Sequence, residues 1–326
     1  MSRFYRRFFI FNFTSKLNDM LSKSLSLHQM NQRIRGISLF AVISLLCLNF
    51  AQAQLNPLAA QYFQNLYLAS PALAGSASGM RFNVASRSQL TALAGKPLNT
   101  SFTLDYGINK VGLGLNYYQD VAGLLSRSKA VISYAYHMPL NYDNSRLHFG
   151  FSFGLQNENL NSSAAEGSAT DPILFTYNNR DVIMNGDFGI AFTSEKLSLE
   201  ASLINLNRQT MIENQNSADY ATFYAALSYV IESREWQYRP KLVYRGVRNY
   251  IDLFDIGLQV KPLNRQLAFM GVYHSYRSFS LGLNYQVSRS VELMGVYNTA
   301  TNAIRNYANG AFEIGLHFDF NKPEYY

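Results

Sequence analysis

Alternation of apolar and polar residues with a period of two recurs along this 326-residue chain and constrains its fold more than any other feature. The clearest case is LHFGFSFGLQ (147–156), in which Leu and Phe alternate with His, Gly, Ser and Gln. Successive side chains of a strand point to opposite faces, so this segment has one bulky apolar face and one polar or glycine-lined face. About fourteen such segments occur between residues 80 and 321. The sequence therefore predicts an all-β protein.

The length of these segments separates a membrane protein from a soluble one. Most have nine to fourteen residues, more than the five or six usual in globular sheets and enough for a tilted strand to cross a bilayer. Their polar faces would be costly in a packed core but suit a hydrated lumen. We therefore predict a transmembrane outer-membrane β-barrel of about fourteen antiparallel strands over residues 80–326. A soluble β-sandwich is the alternative with the same period.

The connections between the predicted strands alternate in length. Six are short: 109–110, 141–146, 194–196, 232–235, 261–266 and 288–290. The intervening set includes five longer stretches: 91–99, VAGLLSRS at 121–128, 161–185, 209–219 and 300–309. Two of that set, near 246–249 and 276–278, are short and do not fit. Because bacterial barrels have short periplasmic turns and longer external loops, both termini are predicted to be periplasmic. The ranges 161–185 and 209–219 become candidate external binding loops.

The alternation also assigns faces. Four bulky residues are predicted to contact outer-membrane lipid: Leu113, Phe151, Leu283 and Phe318. Gly114 and Asn284 are predicted to face water in the lumen, where replacement by Arg should be milder than on the lipid face. The last predicted strand ends in Glu313-x-Gly315-x-x-Phe318-x-Phe320, which resembles the terminal signal by which bacterial barrels are recognised for insertion.

A leader precedes the barrel. Residues 37–50, ISLFAVISLLCLNF, form an apolar run after Arg33 and Arg35 and before Ala51-Gln52-Ala53. A basic region, an apolar core and a small-x-small site are typical of a secretory signal peptide. We expect cleavage between Ala53 and Gln54, so that residues 1–53 are leader and signal peptide, with Met30 as a possible true start. An uncleaved membrane anchor is the alternative.

Removal of this leader changes the charge and cysteine content. Seven of the 28 Lys and Arg residues precede Gln54, but only one of the 21 Asp and Glu residues does. The mature chain is therefore nearly neutral, and no basic patch supports a nucleic-acid partner. The single cysteine, Cys47, also lies in the leader, so disulfides are not expected to contribute to stability.

The residues that catalysis or metal binding needs are scattered. The four histidines beyond the leader lie singly on different predicted strands, and no metal-ligand spacing or nucleophile elbow occurs: His137, His148, His274 and His317. Spacing alone assembles no Ser/His/Asp trio. Six acidic residues are scattered along the chain, and we interpret them as lining a hydrated interior and not as paired catalytic carboxylates: Asp105, Asp187, Asp252, Asp255, Glu292 and Glu313. We predict no enzymatic activity, no catalytic residue, no metal and no cofactor.

The segment directly after the leader has neither a helix nor a strand period. It reads QYFQNLYLASPALAGS (61–76). It is not expected to be a membrane strand, because Pro71 lacks the N–H of a ladder hydrogen bond and every barrel strand has two neighbours. We therefore assign residues 54–79 to an N-terminal segment outside the barrel wall. Its aromatic side chains are expected to be buried either as a plug in the barrel or against a periplasmic partner.

This segment carries a family resemblance. It resembles the N-terminal signature of the PorP/SprF family, outer-membrane proteins of the type IX secretion system of Bacteroidetes, at seven residues: Gln61, Tyr62, Asn65, Pro71, Ala72, Ala74 and Gly75. The similarity continues through Arg87, the loop 95–97 and the strand 111–115, then more loosely to the end. Leu66, Ser70 and Leu90 depart from the family pattern, which leaves the subgroup and the partner open.

The resemblance implies a function that the strand pattern does not. Members take part in type IX export and gliding motility, by retaining secreted adhesins at the cell surface or by linking the outer membrane to periplasmic parts of the machine. The expected partners are therefore a secreted type IX substrate or adhesin and other secretion-system proteins, with the seven signature residues as candidate binding residues. The alternative is a general porin or a hydrophobic-substrate channel with residues 54–79 as its plug.

Overall fold

The wall of the molecule is one closed antiparallel sheet. The computed structural model describes residues 61–89, 95–140, 144–160, 178–179, 181–206, 222–247, 252–263, 265–299 and 310–320. The strands are β1 (Gly79–Gln89), β2 (Leu98–Ile108), β3 (Val111–Ala122), β4 (Leu125–Pro139), β5 (Arg146–Leu160), β6 (Ile183–Thr193), β7 (Leu197–Ile204), β8 (Thr222–Tyr229), β9 (Ile231–Glu232), β10 (Trp236–Val247), β11 (Leu253–Pro262), β12 (Leu267–His274), β13 (Ser278–Ser288), β14 (Val291–Asn298) and β15 (Ala311–Phe320).

Each strand pairs with its neighbours in the chain, and the first pairs with the last. The β1–β15 ladder runs from Met80↔Phe320 to Gln89↔Ala311 and closes the sheet. β8 and β9 are two parts of one strand, since both pair with β10. Among the described residues the barrel therefore has fourteen strands, as the sequence predicts.

Pro240 explains why one strand is divided. The β8–β10 ladder starts at Lys241↔Ser228, and the β9–β10 ladder resumes at Tyr238↔Ile231. Pro240 lies between these pairs and has no N–H to donate. Pairing with β7 continues past this point, because the amide of Val230 donates to the carbonyl of Lys196 at 2.7 Å.

The outer face carries the bulky half of each alternating pattern. Leu113, Phe151 and Leu283 are 50%, 60% and 43% exposed, and Phe318 packs between Phe82 and Phe320 on the same face. An apolar outer face that continues around a closed sheet is what a bilayer stabilises. No helix among the described residues is long and apolar enough to cross a membrane.

One connection and one face differ from the expectation. VAGLLSRS is not a loop, because β3 continues to Ala122 and β4 begins at Leu125, leaving a two-residue turn in which Gly123 has a φ of 59°.

Gly114 and Asn284 were predicted to face water in the lumen, but both positions are covered by protein. Gly114 lies beneath the ring of Tyr67, and Asn284 is buried and donates to Glu292 Oε1 at 2.7 Å.

The six short connections lie at one end of the barrel, together with the start of β1 and the end of β15. We call this the short-turn end and the opposite one the long-loop end. The candidate loop 209–219 and residues 161–177 and 180 of the other candidate loop lie outside the described residues, as do the leader, Ala53 and Gln54.

Candidate functional site: the segment inside the barrel

Residues 61–76, called the plug from here on, lie inside the lumen. Asn65 caps a single helical turn, α1 (Leu66–Ala69), by accepting from the amide of Leu68 at 3.2 Å. Pro71 then starts a 3₁₀ turn (Pro71–Leu73), where its fixed φ suits the first position. Gly75 follows with a φ of 61°, a left-handed conformation that glycine adopts without strain.

The plug backbone rests on four glycines, which we call the glycine seat: Gly107, Gly112, Gly150 and Gly189, on β2, β3, β5 and β6. A Cβ on Gly112 would lie 1.9 Å from the carbonyl oxygen of Ala74, and one on Gly150 would lie 2.3 Å from the amide nitrogen of Ala72. Such distances are far inside van der Waals contact. The seat therefore exists only because these positions carry no side chain.

On the other side of the lumen, charged side chains hold the plug. Tyr62 donates from its phenol to Asp255 Oδ2 at 2.6 Å. The same carboxylate pairs with Arg245 at 2.8 Å and with Nδ1 of His274 at 2.7 Å. All four side chains are buried. Burial raises the pKa of the Tyr62 phenol well above its usual value, so it remains a neutral donor.

Asp255, His274 and Ser280 form a trio that spacing could not assemble. Nε2 of His274 lies 2.7 Å from the Ser280 hydroxyl, so the order of contacts is that of a hydrolase triad. However, Ser280 is 1% exposed and donates its proton to Asn298. The hydroxyl is therefore a link in a buried network and is not poised to attack a substrate.

A second charged group contacts the plug backbone. Lys241 donates to the carbonyl of Tyr62 at 3.1 Å and to Glu200 Oε1 at 2.9 Å. Glu200 also accepts from the Tyr224 phenol at 3.0 Å. Lys241 and Glu200 are both almost completely buried, and their pairing offsets the desolvation of each charge.

The end of the plug is tied to the short-turn end. The amide of Gly75 donates to Asp105 Oδ2 at 2.8 Å, and Arg81 contacts the same oxygen at 2.5 Å. Arg146 reaches the carbonyl of Ser76 at 3.3 Å.

Amide and hydroxyl contacts complete the ring around the plug. Gln61 donates to Glu313 at 2.8 Å and to Ser101 at 3.2 Å, while Asn65 donates to Thr103 at 2.9 Å. The remaining contacts join Tyr67 to Ser133 at 2.8 Å and Ser202 to Ser70 at 2.7 Å. Burial also raises the pKa of the Tyr67 phenol. These partners lie on strands all round the barrel, so the plug spans the lumen from wall to wall.

The structure thus places all seven signature residues in the lumen. Wall side chains bind Gln61, Tyr62 and Asn65. The next three signature residues, Pro71, Ala72 and Ala74, are buried over the glycine seat. Gly75 donates its amide to Asp105. Sequence reasoning missed their partners. It treated three of the acidic partners as scattered residues of a hydrated interior: Asp105, Asp255 and Glu313.

His137 and His148 form a buried pair, with their Nδ1 atoms 2.7 Å apart. His148 also reaches the hydroxyl of Thr193 through Nε2 at 2.7 Å. Within the part of the chain that the structure describes, no group of three His, Cys, Asp or Glu side chains is arranged to hold a metal ion.

The family model described as "Type IX secretion system membrane protein PorP/SprF" matches residues 51–318. The chain belongs to this PorP/SprF family. The match covers the plug and the wall almost to the end of β15, so the family resemblance of the signature segment extends over the whole described structure. Family and fold together identify an outer-membrane β-barrel of the type IX secretion system.

Solved structures of other barrels resemble the fold at low sequence identity. The Ralstonia pickettii toluene transporter TbuX is 12% identical, with 78% of this chain and 93% of that chain covered and a TM-score of 0.46. The P. putida toluene transporter TodX is 10% identical, with 80% and 95% covered and a TM-score of 0.48. Omp33 of Acinetobacter baumannii is 8% identical, with 74% and 98% covered and a TM-score of 0.46. Likeness at this level carries no argument about function. No curated protein matches the sequence.

Proposed function

We propose that this chain binds protein at the outer membrane for the type IX secretion system, either by anchoring a secreted adhesin or gliding protein or by joining the barrel to periplasmic parts of the machine. The family match over residues 51–318 is the observation that carries this proposal. The role is non-enzymatic, consistent with the burial of Ser280, whose proton is already committed to Asn298.

A plug inside the lumen supports a binding role over a permanently open porin. The plug contacts wall residues on opposite sides, such as Thr103 and Asp255, and so spans the lumen at its level. The surfaces left for a partner are then the rims and the connections at the long-loop end. A general porin or hydrophobic-substrate channel remains the competing function.

The proposed orientation has both termini in the periplasm. Its support is that the six short connections, the start of β1 and the end of β15 share one end of the barrel, and that short turns are periplasmic in bacterial barrels. Cysteines placed singly in the turns at 109–110 and 289–290 should resist a membrane-impermeant maleimide on intact cells. Labelling of both turns on intact cells would reverse the orientation.

Deletion of the gene tests the binding role. We expect loss of surface display of the secreted protein encoded beside it, measured by antibody labelling of intact cells and restored by the wild-type gene in trans. The total amount of that protein, measured in whole cultures, is the control that separates lost anchoring from lost synthesis. Unchanged display would contradict the adhesin-specific proposal.

A further inference from the structure

We propose that the plug is displaceable, and that its withdrawal opens an aqueous passage lined with paired charges. This adds an activity to the proposed protein-binding role and does not depend on it. Three features of the described residues carry the inference: the hydrogen bonding of the wall, the pairing of the lumen charges and the fit of the glycine seat.

The wall is complete without the plug. The strand ladders join wall strands to each other, from β1–β2 round to β15–β1. The backbone hydrogen bonds of residues 61–76 stay within the plug, as from Ser70 N to Leu66 O and from Ala74 N to Pro71 O. Wall and plug are joined by hydrogen bonds that involve side chains and by packing of the plug backbone on the glycine seat. Withdrawal of the plug therefore breaks no ladder, and the barrel keeps its closure.

The charges behind the plug are also satisfied without it. Three acid–base pairs of the wall contact the plug: Arg245–Asp255 at 2.8 Å, Lys241–Glu200 at 2.9 Å and Arg81–Asp105 at 2.5 Å. The plug adds one contact to each of the first two pairs, from the Tyr62 hydroxyl to Asp255 and from Lys241 to the Tyr62 carbonyl. It adds two to the third, from the Gly75 amide to Asp105 and from Arg81 to the Ser76 hydroxyl. When the plug leaves, water replaces these contacts and no charge loses its ion partner.

A wall behind a plug that never leaves the lumen would not need these ion pairs. Buried ion pairs are often no more stabilising than apolar residues of similar volume. A wall that keeps charged groups behind a packed segment is instead suited to two states, one in which the plug covers it and one in which water does. Fourteen strands enclose a lumen wide enough for an aqueous path once its filling is removed.

The glycine seat supplies a variant that removes the plug and spares the wall. In Gly150→Ala the new methyl group would lie 2.3 Å from Ala72 N and from the carbonyl carbon of Pro71, so plug and methyl group exclude each other. Ala is well tolerated in a strand, so the barrel should fold. The matched control is Gly295→Ala, because a Cβ there meets nothing within 4 Å.

Conductance of the purified full-length protein in planar lipid bilayers is the readout. Wild type and Gly295→Ala should be closed, with brief openings, and Gly150→Ala should be open for at least ten times as large a share of the time. Heat-modifiable gel mobility checks that each variant is folded. A folded Gly150→Ala protein as silent as Gly295→Ala would overturn the proposal.

A reversible lock gives a second, independent test. The hydroxyl oxygens of Ser70 and Ser202 lie 2.7 Å apart, so Ser70→Cys with Ser202→Cys brings two sulfurs close enough to form a disulfide. The sequence has one cysteine of its own, Cys47, which precedes the expected cleavage site. The oxidised double variant should lose the brief openings, and a reductant should restore them, while each single variant should open equally often in oxidant and in reductant. Openings that persist in the oxidised lock would show that current bypasses the plug.

Failure here is distinguishable from failure of the proposed function. The bilayer contains no secretion partner, so conductance reports only on plug and lumen. Surface display in the deletion strain reports on protein binding whether or not the lumen opens.

Discussion

The two sides of the lumen receive the plug by opposite means. On one side, β2, β3, β5 and β6 present glycines, and the plug backbone lies where side chains would otherwise stand. On the other side, Lys241 on β10 and Asp255 on β11 bind Tyr62, and Glu200 on β7 pairs with Lys241. The glycine side tolerates no added atom, whereas the charged side forms pairs within the wall itself. The glycine side therefore determines whether the plug can fit. The charged side determines how strongly the plug is bound and how stable the wall is.

Breaking the charged side at its centre should have the largest effect on stability. Asp255→Ala removes the carboxylate that Arg245, His274 and Tyr62 share. Removal of one partner from a buried ion pair costs about 3–5 kcal/mol. Urea unfolding in lipid vesicles, followed by heat-modifiable gel mobility, should show a loss of that size. Asp181→Ala, at an exposed position, is the control and should change the free energy of unfolding by less than about 0.5 kcal/mol. Equal losses would mean that the Asp255 network is not structural.

On the outer face of the barrel, we expect substitutions on the two sides to have similar effects on stability. Phe151 on β5 and Leu258 on β11 are 60% and 43% exposed to lipid on opposite sides of the barrel. Arg at either position should cost about 2–4 kcal/mol near the bilayer midplane. The same unfolding assay measures both variants. A large cost at only one of them would show that the lipid belt is not uniform, and that part of this face is covered by something other than lipid.

The sequence predicts the wall far better than it predicts what lies inside. Alternation in 147–156 reports directly on which residues of β5 face lipid, because the strand period is local. The turn at 123–124 was missed since Ser126, Arg127 and Ser128 look like loop residues, although the guanidinium of Arg127 pairs with Glu158 across β4–β5. Polar residues of this kind are ordinary in strands that face a lumen.

The lumen contacts are not local, and for that reason they could not be predicted. Tyr62 and Asp255 are 193 residues apart, and their meeting depends on the register of every ladder between them. A slip of one residue in any ladder would turn the carboxylate to the opposite face. The segment 61–76 was recognisable as lying outside the wall, through its missing period and its family signature, but its burial in the lumen was one of two alternatives. The role of Gly150 and Gly189 can be recognised only once the plug is known to lie over them.

A conservative change on the charged side should weaken the plug while leaving the wall intact. Tyr62→Phe removes the donor to Asp255, which keeps Arg245 and His274. Hydrogen bonds to charged groups contribute about 1.5–3 kcal/mol, so plug opening should become roughly 10- to 100-fold more frequent. The labelling rate of a cysteine in place of Ser70, which is 1% exposed, measures this opening. Urea unfolding should be nearly unchanged, and a large loss there would mean that the plug and the wall unfold together.

The smallest effect is expected over the glycine side. Tyr67 lies above Gly114, and among the described residues its phenol bonds only the neutral hydroxyl of Ser133, at 2.8 Å. Tyr67→Phe keeps the ring and removes one neutral hydrogen bond, worth about 0.5–1.5 kcal/mol. Labelling of the cysteine at position 70 should rise by about tenfold or less, clearly below the rise for Tyr62→Phe. Equal labelling rates for the two variants, or a higher rate for Tyr67→Phe, would contradict this comparison. Hydrogen bonds on the charged side would then hold the plug no more strongly than those on the glycine side.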